Sequence, residues 1–334
     1  MDKAKHIHHY VPRRYLRAWS RKGDGVIAVK FGNRIVRLMS VDGVAFEDCG
    51  YSYEPLTPEM LRSILCCQPR SKFVTDSMMR GFFLPTVVVP VFSRMLDDPS
   101  NNDVITMWRM ILDANLIDED GWRKLDVLRQ TYELDREQYG AAMRDHQKEG
   151  YEGMLCNIEN KAWPVLDSMI KGKLGWVLKD KLAFRMFFYI FSQRTRSPSF
   201  KNMVLHSDGS MNLNADFVAG ALYRRHIIAL DSTAILMSIR HKLTFRILKA
   251  EAGVEFITGD LPVVTIGDED KSKDYYFPLS PNRGFVFGPR ANFDHRNAEV
   301  LRGDITSARI LNRAIARDSA YQVYGTSEEI LNTL

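Results

Sequence analysis

Three of the chain's eight histidines fall within four positions near its start, in the sequence HIHHYVP of residues 6–12. In an extended chain, side chains alternate between faces, so His6 and His8 would share one face and His9 would point away from it. Two imidazoles on one face can bind a single metal ion if a third ligand comes from farther along the chain. Alternatively, the histidines are solvated or form structural hydrogen bonds, in a segment whose turn is set by Pro12.

A carboxylate follows an apolar run late in the chain. In FITGDLPVV, Asp260 stands at the end of a predicted strand and directly before Leu-Pro. A carboxylate at a strand tip is held by rigid backbone, which suits a residue of a functional site. Aspartate also caps turns by accepting hydrogen bonds from nearby backbone amides. On this segment alone the structural alternative is favoured.

Gln193 and Arg196 lie three residues apart in SQRTRSPSF, so on a helix they share one face. Arg194 and Arg196 together could clamp a phosphate or a carboxylate. Pro198 ends the helix, which places the pair at a border between helix and loop. An arginine at this end also complements the helix dipole without any ligand, and the sequence leaves both interpretations open.

Charge is unevenly distributed along this chain of 334 residues, whose formal net charge is +5. Residues 1–40 contain ten Lys and Arg against two acids, whereas residues 97–137 contain eleven acids against five Lys and Arg. A basic segment of this kind can face a polyanion, but it can equally pair with an acidic segment or be solvated. The sequence contains no GxGxxG, P-loop, nucleophile elbow or HExxH motif.

The composition, 45% hydrophobic and 26% charged, is typical of a soluble globular protein. The apolar stretch at residues 81–92 is too short to span a bilayer and contains two prolines, so we expect no membrane association. With no metal-type CxxC pair and no signal peptide, we expect reduced thiols and a cytoplasmic location. The four cysteines are Cys49, Cys66, Cys67 and Cys156.

Apolar residues recur every three to four positions through most of residues 56–250, which predicts helices. TPEMLRSILCC begins with a threonine N-cap and a proline at the first helical position. The segment KDKLAFRMFFYIFSQRTR is apolar on all sides of its middle turns, which is typical of a central buried helix. HKLTFRILKA, at the end of this region, continues the helical pattern.

Short apolar runs broken by turn residues predict strands on both sides of the helices. GVIAVKFGNRIVRL is typical of a hairpin that turns at Gly32-Asn33. A closing helix carries Asn312, which we expect to satisfy a buried partner. The predicted fold is α+β: one domain over residues 1–334, with a helical core at about 56–250. A small sheet combines the hairpin with late strands, within β-rich segments at about 6–55 and 252–290.

The polar stretches resemble, in their order, a widespread and mostly bacterial family called domain of unknown function 4238. The family begins with His-His-Tyr-Val-Pro, then Tyr-Leu and an aromatic residue; it continues with Gln-x-x-Arg-Thr/Ser-Pro and a late Thr-Ser-Asp-x-Pro, followed by Pro-Leu-Ser-Pro. The resemblance covers about residues 6–325. The matching residues are His8, His9, Tyr10, Val11, Pro12, Tyr15, Leu16, Trp19, Gln193, Arg196, Ser197, Pro198, Thr258, Asp260, Pro262 and 278–281.

The resemblance implies that five polar residues belong together around one pocket: His8, His9, Gln193, Arg196 and Asp260. There is one departure, because Gly259 stands where the family usually has serine. A hydroxyl that would have held the aspartate or a ligand is therefore absent at that position.

These five residues suggest a hydrolase, specifically a metal-dependent phosphoesterase or nuclease. His8 and Asp260 would hold a divalent metal, Mg or Mn, or act as base and acid, with His9 beside them. Arg196 would neutralise phosphate charge and Gln193 would orient the water. A role in bacterial defence, or as a toxin-like effector, is analogy alone.

Two alternatives remain. The same residues would serve in a non-catalytic nucleic-acid- or nucleotide-binding protein, with nucleic acid as partner in either case. They would also serve as a structural lock between the N-terminus and a late strand, in which case substitution costs stability rather than activity.

Overall fold

The structure is a computed structural model, and it describes residues 7–20, 24–32, 36–48, 56–66, 71–200, 215–250, 253–267, 274–289, 301–303 and 305–334. The chain groups into two compact units. Unit 1 comprises Met1–His8, Asp48–Asn157 and Ser207–Ala234, and unit 2 comprises His9–Glu47, Ile158–His206 and Ile235–Leu334. The prediction of one domain over residues 1–334 stays a prediction.

The helices and strands confirm the α+β fold class. The α-helices are α1 Arg13–Leu16, α2 Pro58–Cys66, α3 Asp76–Phe83, α4 Val89–Asp97, α5 Asn102–Asp113, α6 Glu119–Leu134, α7 Arg136–Ile170, α8 Asp180–Thr195, α9 Ala215–Ile239, α10 Ile305–Asp318 and α11 Glu328–Asn332. The strands are β1 Ile7–His9, β2 Val26–Phe31, β3 Arg37–Ser40, β4 Phe46–Asp48, β5 Leu243–Ala250, β6 Thr258–Gly259, β7 Val264–Ile266, β8 Asp274–Ser280, β9 Arg283–Pro289, β10 Leu301–Gly303 and β11 Gln322–Gly325.

Unit 1 is mainly helical in its described part, and several of its helices begin at side-chain caps. The Oγ1 of Thr57 accepts a hydrogen bond from the Met60 amide at 3.2 Å, which confirms the predicted N-cap of α2. Asn101 caps α5 and Asp118 caps α6 in the same manner. Such caps satisfy backbone donors that a helix leaves free at its first turn.

The apolar stretch of residues 81–92 lies within a continuous helical segment formed by α3, a π-helical turn at Leu84–Val88, and α4. The segment Asp76–Asp97 is long and apolar enough to cross a membrane by composition, but 56% of its apolar window is buried within the protein, as in the core helix of a soluble protein. The π turn contains Pro85, whose missing amide interrupts the normal ladder.

Unit 2 contains a four-stranded sheet in the order β3-β2-β11-β6. Strands β2 and β3 pair antiparallel, as predicted for the N-terminal hairpin, and Gly32 directly after β2 adopts a φ of 56°, which glycine tolerates; Asn33 of the predicted turn lies outside the described residues. Its strand β2 pairs with β11, where Val29 lies opposite Tyr324, and β11 then pairs with β6. The predicted sheet of N-terminal hairpin and late strands is therefore confirmed.

A second sheet of unit 2 has the order β10-β5-β9-β8-β7. Here the helical prediction for HKLTFRILKA was wrong, because Leu243–Ala250 is strand β5 and pairs with β9 over seven positions. Its apolar residues fit both the helical period and the strand period. Pairing with a strand about forty residues later in the chain decides in favour of the strand. The ring of Phe245 stacks on Phe285 and Phe287. The late strands of the chain thus begin at residue 243, before the predicted boundary at residue 252.

Two predicted helices of unit 2 are present. Helix α8 is buried on all sides of its middle turns, as predicted for a central helix. In α10, Asn312 accepts a hydrogen bond from the Ile257 amide at 3.1 Å and donates to the Glu255 carbonyl at 2.9 Å, which confirms its predicted buried role. Beyond α10 the sequence prediction missed β11 and α11, which are only four and five residues long.

Candidate functional site

The N-terminal motif is bound to the late strands of unit 2 by its aromatic side chains. Tyr15 is fully buried, and its hydroxyl donates to the Pro278 carbonyl at 2.6 Å. The same hydroxyl lies 3.0 Å from the Oγ1 of Thr258. The indole of Trp19 donates to the Phe256 carbonyl at 2.8 Å. These bonds give Tyr-Leu-x-x-Trp a structural role, because they satisfy buried backbone carbonyls.

The arginines of the same segment point the other way. Arg13, Arg14 and Arg17 are exposed, while the intervening Tyr15 and Leu16 are buried. Residues 13 and 17 lie four positions apart, on one side of a helical turn. The sequence thus places an apolar face against the late strands and a basic face in solvent.

Two of these guanidinium groups are held in place. Arg14 lies over the ring of Trp163, 4.0 Å from its centroid, in a cation–π contact. Arg13 forms an ion pair with Asp42 at 3.1 Å, and both side chains are more than half exposed. An exposed pair of this kind contributes little stability and can be broken by a competing anion.

His9 lies at the end of β1, half-buried, with its ring 5.9 Å from that of Phe46. Burial, followed by the positive charge of Arg13, lowers the pKa of His9 from 6.5 to about 4, and Arg196 contributes in the same direction. The ring hydrogen-bonds the Asp42 backbone, and its Nε2 has no hydrogen-bond partner among the described residues. The bond therefore involves Nδ1 and, with a carbonyl as acceptor, leaves Nε2 as a buried nitrogen with an unshared lone pair.

His8 precedes it and is buried, 1% exposed. It belongs to unit 1, whereas the other four predicted site residues belong to unit 2. Because the two units are described separately, the predicted role of His8 in a common site stays a prediction. His6 lies outside the described residues.

Gln193, in the last turn of α8, and Arg196, directly after the helix, contact each other, as their predicted helical spacing implies. Arg196 Nη2 donates to Gln193 Oε1 at 2.6 Å, and Nη1 donates to the Glu159 carboxylate at 2.7 Å. The Arg196 side chain is 1% exposed, so this is a buried ion pair. Burial, with the negative charge of Glu159 next in effect, raises the pKa of the neighbouring Tyr189. The Arg196 guanidinium is therefore already paired with two acceptors of the protein, Glu159 and Gln193.

Asp260 is completely buried directly after β6 and accepts four hydrogen bonds. Oδ1 accepts from the Ser199 hydroxyl at 3.1 Å and the Ala320 amide at 3.0 Å. Oδ2 accepts from the amides of Tyr321 at 2.6 Å and Gln322 at 3.1 Å. Burial raises the pKa of Asp260, and these bonds oppose the shift. The carboxylate thus clamps the turn between α10 and β11.

The side chain of Ser319 explains why glycine stands at position 259, where the family pattern has serine. A Cβ added to Gly259 would collide with the Oγ of Ser319 and would lie 3.3 Å from the Gln322 carbonyl oxygen. That hydroxyl donates to the Ile315 carbonyl at 2.8 Å at the end of α10. Ser319 therefore occupies the space that a side chain at position 259 would need.

These residues form two structural clusters in unit 2, one around Arg196 and one around Asp260. Among the described residues, no group of three or more His, Cys, Asp or Glu could hold a metal ion. Because four donors already occupy the Asp260 carboxylate, it fits a turn clamp better than a metal ligand. The Mg or Mn prediction with His8 and Asp260 stays a prediction.

Sequence reasoning missed the partners of these residues. Glu159 lies within the long helix α7, thirty-seven residues before Arg196, and nothing in its local pattern distinguishes it from a solvated glutamate. Ser199 follows the Arg-Ser-Pro motif directly, and this proximity was a usable signal. Gln322 accepts hydrogen bonds from the Ala45 amide and the Tyr324 hydroxyl, which connects β11 to the N-terminal segment.

Comparison with known proteins yields one match. A sequence model of the family described as "Protein of unknown function (DUF4238)" matches residues 7–219 and 222–329. No curated protein and no solved structure matches the chain.

Proposed function

Because the chain belongs to this family, DUF4238, whose description names no reaction, the site must indicate the function, and we propose that the protein binds nucleic acid through its N-terminal arginines. One observation carries this proposal: Tyr15 and Leu16 are buried while Arg13, Arg14 and Arg17 are exposed beside them. Phosphate contacts from such arginines supply most of the sequence-independent affinity for nucleic acids.

The arrangement favours an anionic ligand over a purely structural role for these arginines. Arg14 is oriented by the Trp163 ring, so little side-chain entropy is lost when it contacts a phosphate. Arg17 is exposed and faces solvent from the next turn. The surface pair of Arg13 with Asp42 is weak enough for a phosphate to replace the carboxylate.

Fluorescence anisotropy with labelled single-stranded and double-stranded DNA and RNA tests the proposal. We expect Arg14→Gln and Arg17→Gln each to weaken binding and to lower the slope of log K against log salt by about one. Arg309→Gln is the matched control, because this exposed residue of α10 carries the same charge outside the motif. Absence of binding by the folded wild type, or an equal loss in the control, would refute the proposal.

Nuclease activity is a second candidate, with the unpaired Nε2 of His9 as the base; this nitrogen is buried, so the site would have to open before a water could reach it. The lowered pKa keeps the imidazole neutral at pH 7, although it also makes His9 a weaker base than an ordinary histidine. In the nuclease candidate, His9 accepts the proton of the attacking water. The guanidinium of Arg13, which is close enough to lower the pKa of His9, contacts the phosphate. Asp260 retains its role in the turn. A defence role and a cytoplasmic location remain expectations that go with this candidate.

A cleavage assay on the same nucleic acids separates the two candidates. Wild type would be measured with Mg or Mn and then with a chelator, beside His9→Asn, whose amide replaces the Nδ1 donor but not Nε2. Cleavage that disappears in His9→Asn while binding is retained supports the nuclease. Loss on chelation would establish the predicted metal. Binding without cleavage by wild type eliminates the nuclease and leaves the first proposal intact.

A further inference from the structure

A cavity of about 390 Å³ lies within unit 1, and none of the five motif residues lines it. Its walls come from α4, the end of α6 and the beginning of α7. This volume falls in the range of pockets that bind small molecules. The residues that line it include Arg94, Asp97, Tyr132, Arg136, Tyr139 and Arg144.

Three guanidinium groups line this cavity, against one carboxylate. None of Arg94, Arg136 and Arg144 forms an ion pair with a carboxylate in the part of the chain that the structure describes. On the exposed face of α6, by contrast, Arg129 pairs with Asp126 and Glu133 at 2.9 Å. Among the residues that line it, the cavity therefore has more guanidinium groups than carboxylates.

Aromatic rings hold part of this charge in place. The guanidinium of Arg136 lies over the ring of Tyr132, 4.8 Å from its centroid. Tyr132 meets Tyr139 edge to face at 5.1 Å, and its hydroxyl donates to the Leu96 carbonyl. A planar guanidinium backed by a ring can contact a phosphate with its edge and an aromatic base with its open face.

We propose that this cavity binds a nucleotide, with the phosphate groups contacting Arg94 and Arg144 and the base stacked near Arg136. Arginine forms paired, charge-assisted hydrogen bonds to phosphate oxygens. Arg94 is positioned for this by donating one bond to the Leu56 carbonyl at 2.7 Å, and among the described residues its other N–H groups have no hydrogen-bond partner. Asp97 accepts a hydrogen bond from a hydroxyl of the ligand.

Isothermal titration calorimetry with ATP, pyrophosphate and adenosine tests the proposal on the full chain. We expect ATP to bind, pyrophosphate to bind more weakly, and adenosine to bind weakest. Arg144→Gln should weaken ATP binding about tenfold, the loss of one charge-assisted contact. The matched control is Arg123→Gln, an exposed arginine of α6 outside the cavity, which should leave ATP affinity unchanged.

A second variant keeps the proposal testable if Arg144→Gln does not fold. Gly140→Ala introduces a Cβ 3.3 Å from Arg144 Nη1, the flexible end of a side chain, at a helical position that favours alanine. It should displace the guanidinium and weaken ATP binding while the melting temperature is maintained. No ATP binding by wild type, equal affinity for ATP and pyrophosphate, or full affinity in Arg144→Gln would each overturn the proposal. Nucleic-acid binding at Arg14 is measured separately and does not depend on this result.

Discussion

The backbone amide of Tyr321 donates a hydrogen bond of 2.6 Å to the carboxylate of Asp260, sixty-one residues earlier in the chain. The carboxylate also accepts from the amides of Ala320 and Gln322, and the Asp260 amide donates to the Gln322 carbonyl at 2.9 Å. One side chain thus organises the turn that starts β11. Since β11 lies between β2 and β6, the clamp also positions the centre of the four-stranded sheet.

Replacing Asp260 by asparagine should lower the free energy of unfolding by about 3 kcal/mol. In either orientation the new NH2 group would face at least one backbone amide of the turn, where the carboxylate oxygen had been an acceptor. Urea denaturation of Asp260→Asn beside Asp113→Asn, an exposed aspartate of α5, measures this difference. Wild-type stability combined with lost nucleic-acid binding would instead identify Asp260 as a site residue.

The buried pair of Arg196 and Glu159 should show strong coupling. Arg196→Met removes a guanidinium that bonds both Glu159 and Gln193, and it should cost about 3 kcal/mol or more because a partly buried carboxylate loses its cation. Adding Glu159→Gln to this variant should recover part of the loss. A double-mutant cycle measures the coupling energy, and strictly additive effects would show that the pair is not an energetic unit.

Gly259→Ser, which introduces the residue usual in the family, should destabilise this chain by about 2 kcal/mol, since overpacking forces neighbouring groups apart. The new side chain would meet the hydroxyl of Ser319. Ser319→Gly removes that obstacle and should reduce the cost of the serine when the two changes are combined. Thermal melting of the four proteins tests this; an equal cost of serine in both backgrounds would contradict the explanation.

Acidification should destabilise the fold through His9. Its pKa is about 4 in the folded protein and 6.5 ordinarily, so the unfolded chain takes up a proton first as the pH falls. The contribution of neutral His9 is fully present above about pH 6.5 and is lost as the pH falls toward about 4. The buried His226, whose pKa burial lowers to about 3, acts in the same direction.

Urea denaturation across this pH range measures the effect. His9→Asn preserves a donor for the Asp42 backbone but does not titrate there, so the slope of unfolding free energy against pH should become shallower. An unchanged slope would show that His9 does not contribute.

Local patterns in the sequence were sufficient for much of the fold and for one contact of the site. Caps and apolar periodicity specify α2 and α8, and turn residues specify the β2–β3 hairpin, because these features depend on neighbours within a few positions. The contact between Gln193 and Arg196 also follows from helical spacing alone. The grouping of the polar motifs, by contrast, came from family resemblance rather than from local chemistry.

Only the tertiary structure decided what those residues contact. Arg196 finds Glu159 thirty-seven positions away, and Asp260 finds its donors about sixty positions away, in segments whose local sequence carries no mark of the pairing. Leu243–Ala250 became a strand for the same reason, since its partner β9 is remote in sequence. Such contacts satisfy buried charges and backbone groups, and which groups need satisfying is known only once the chain is folded.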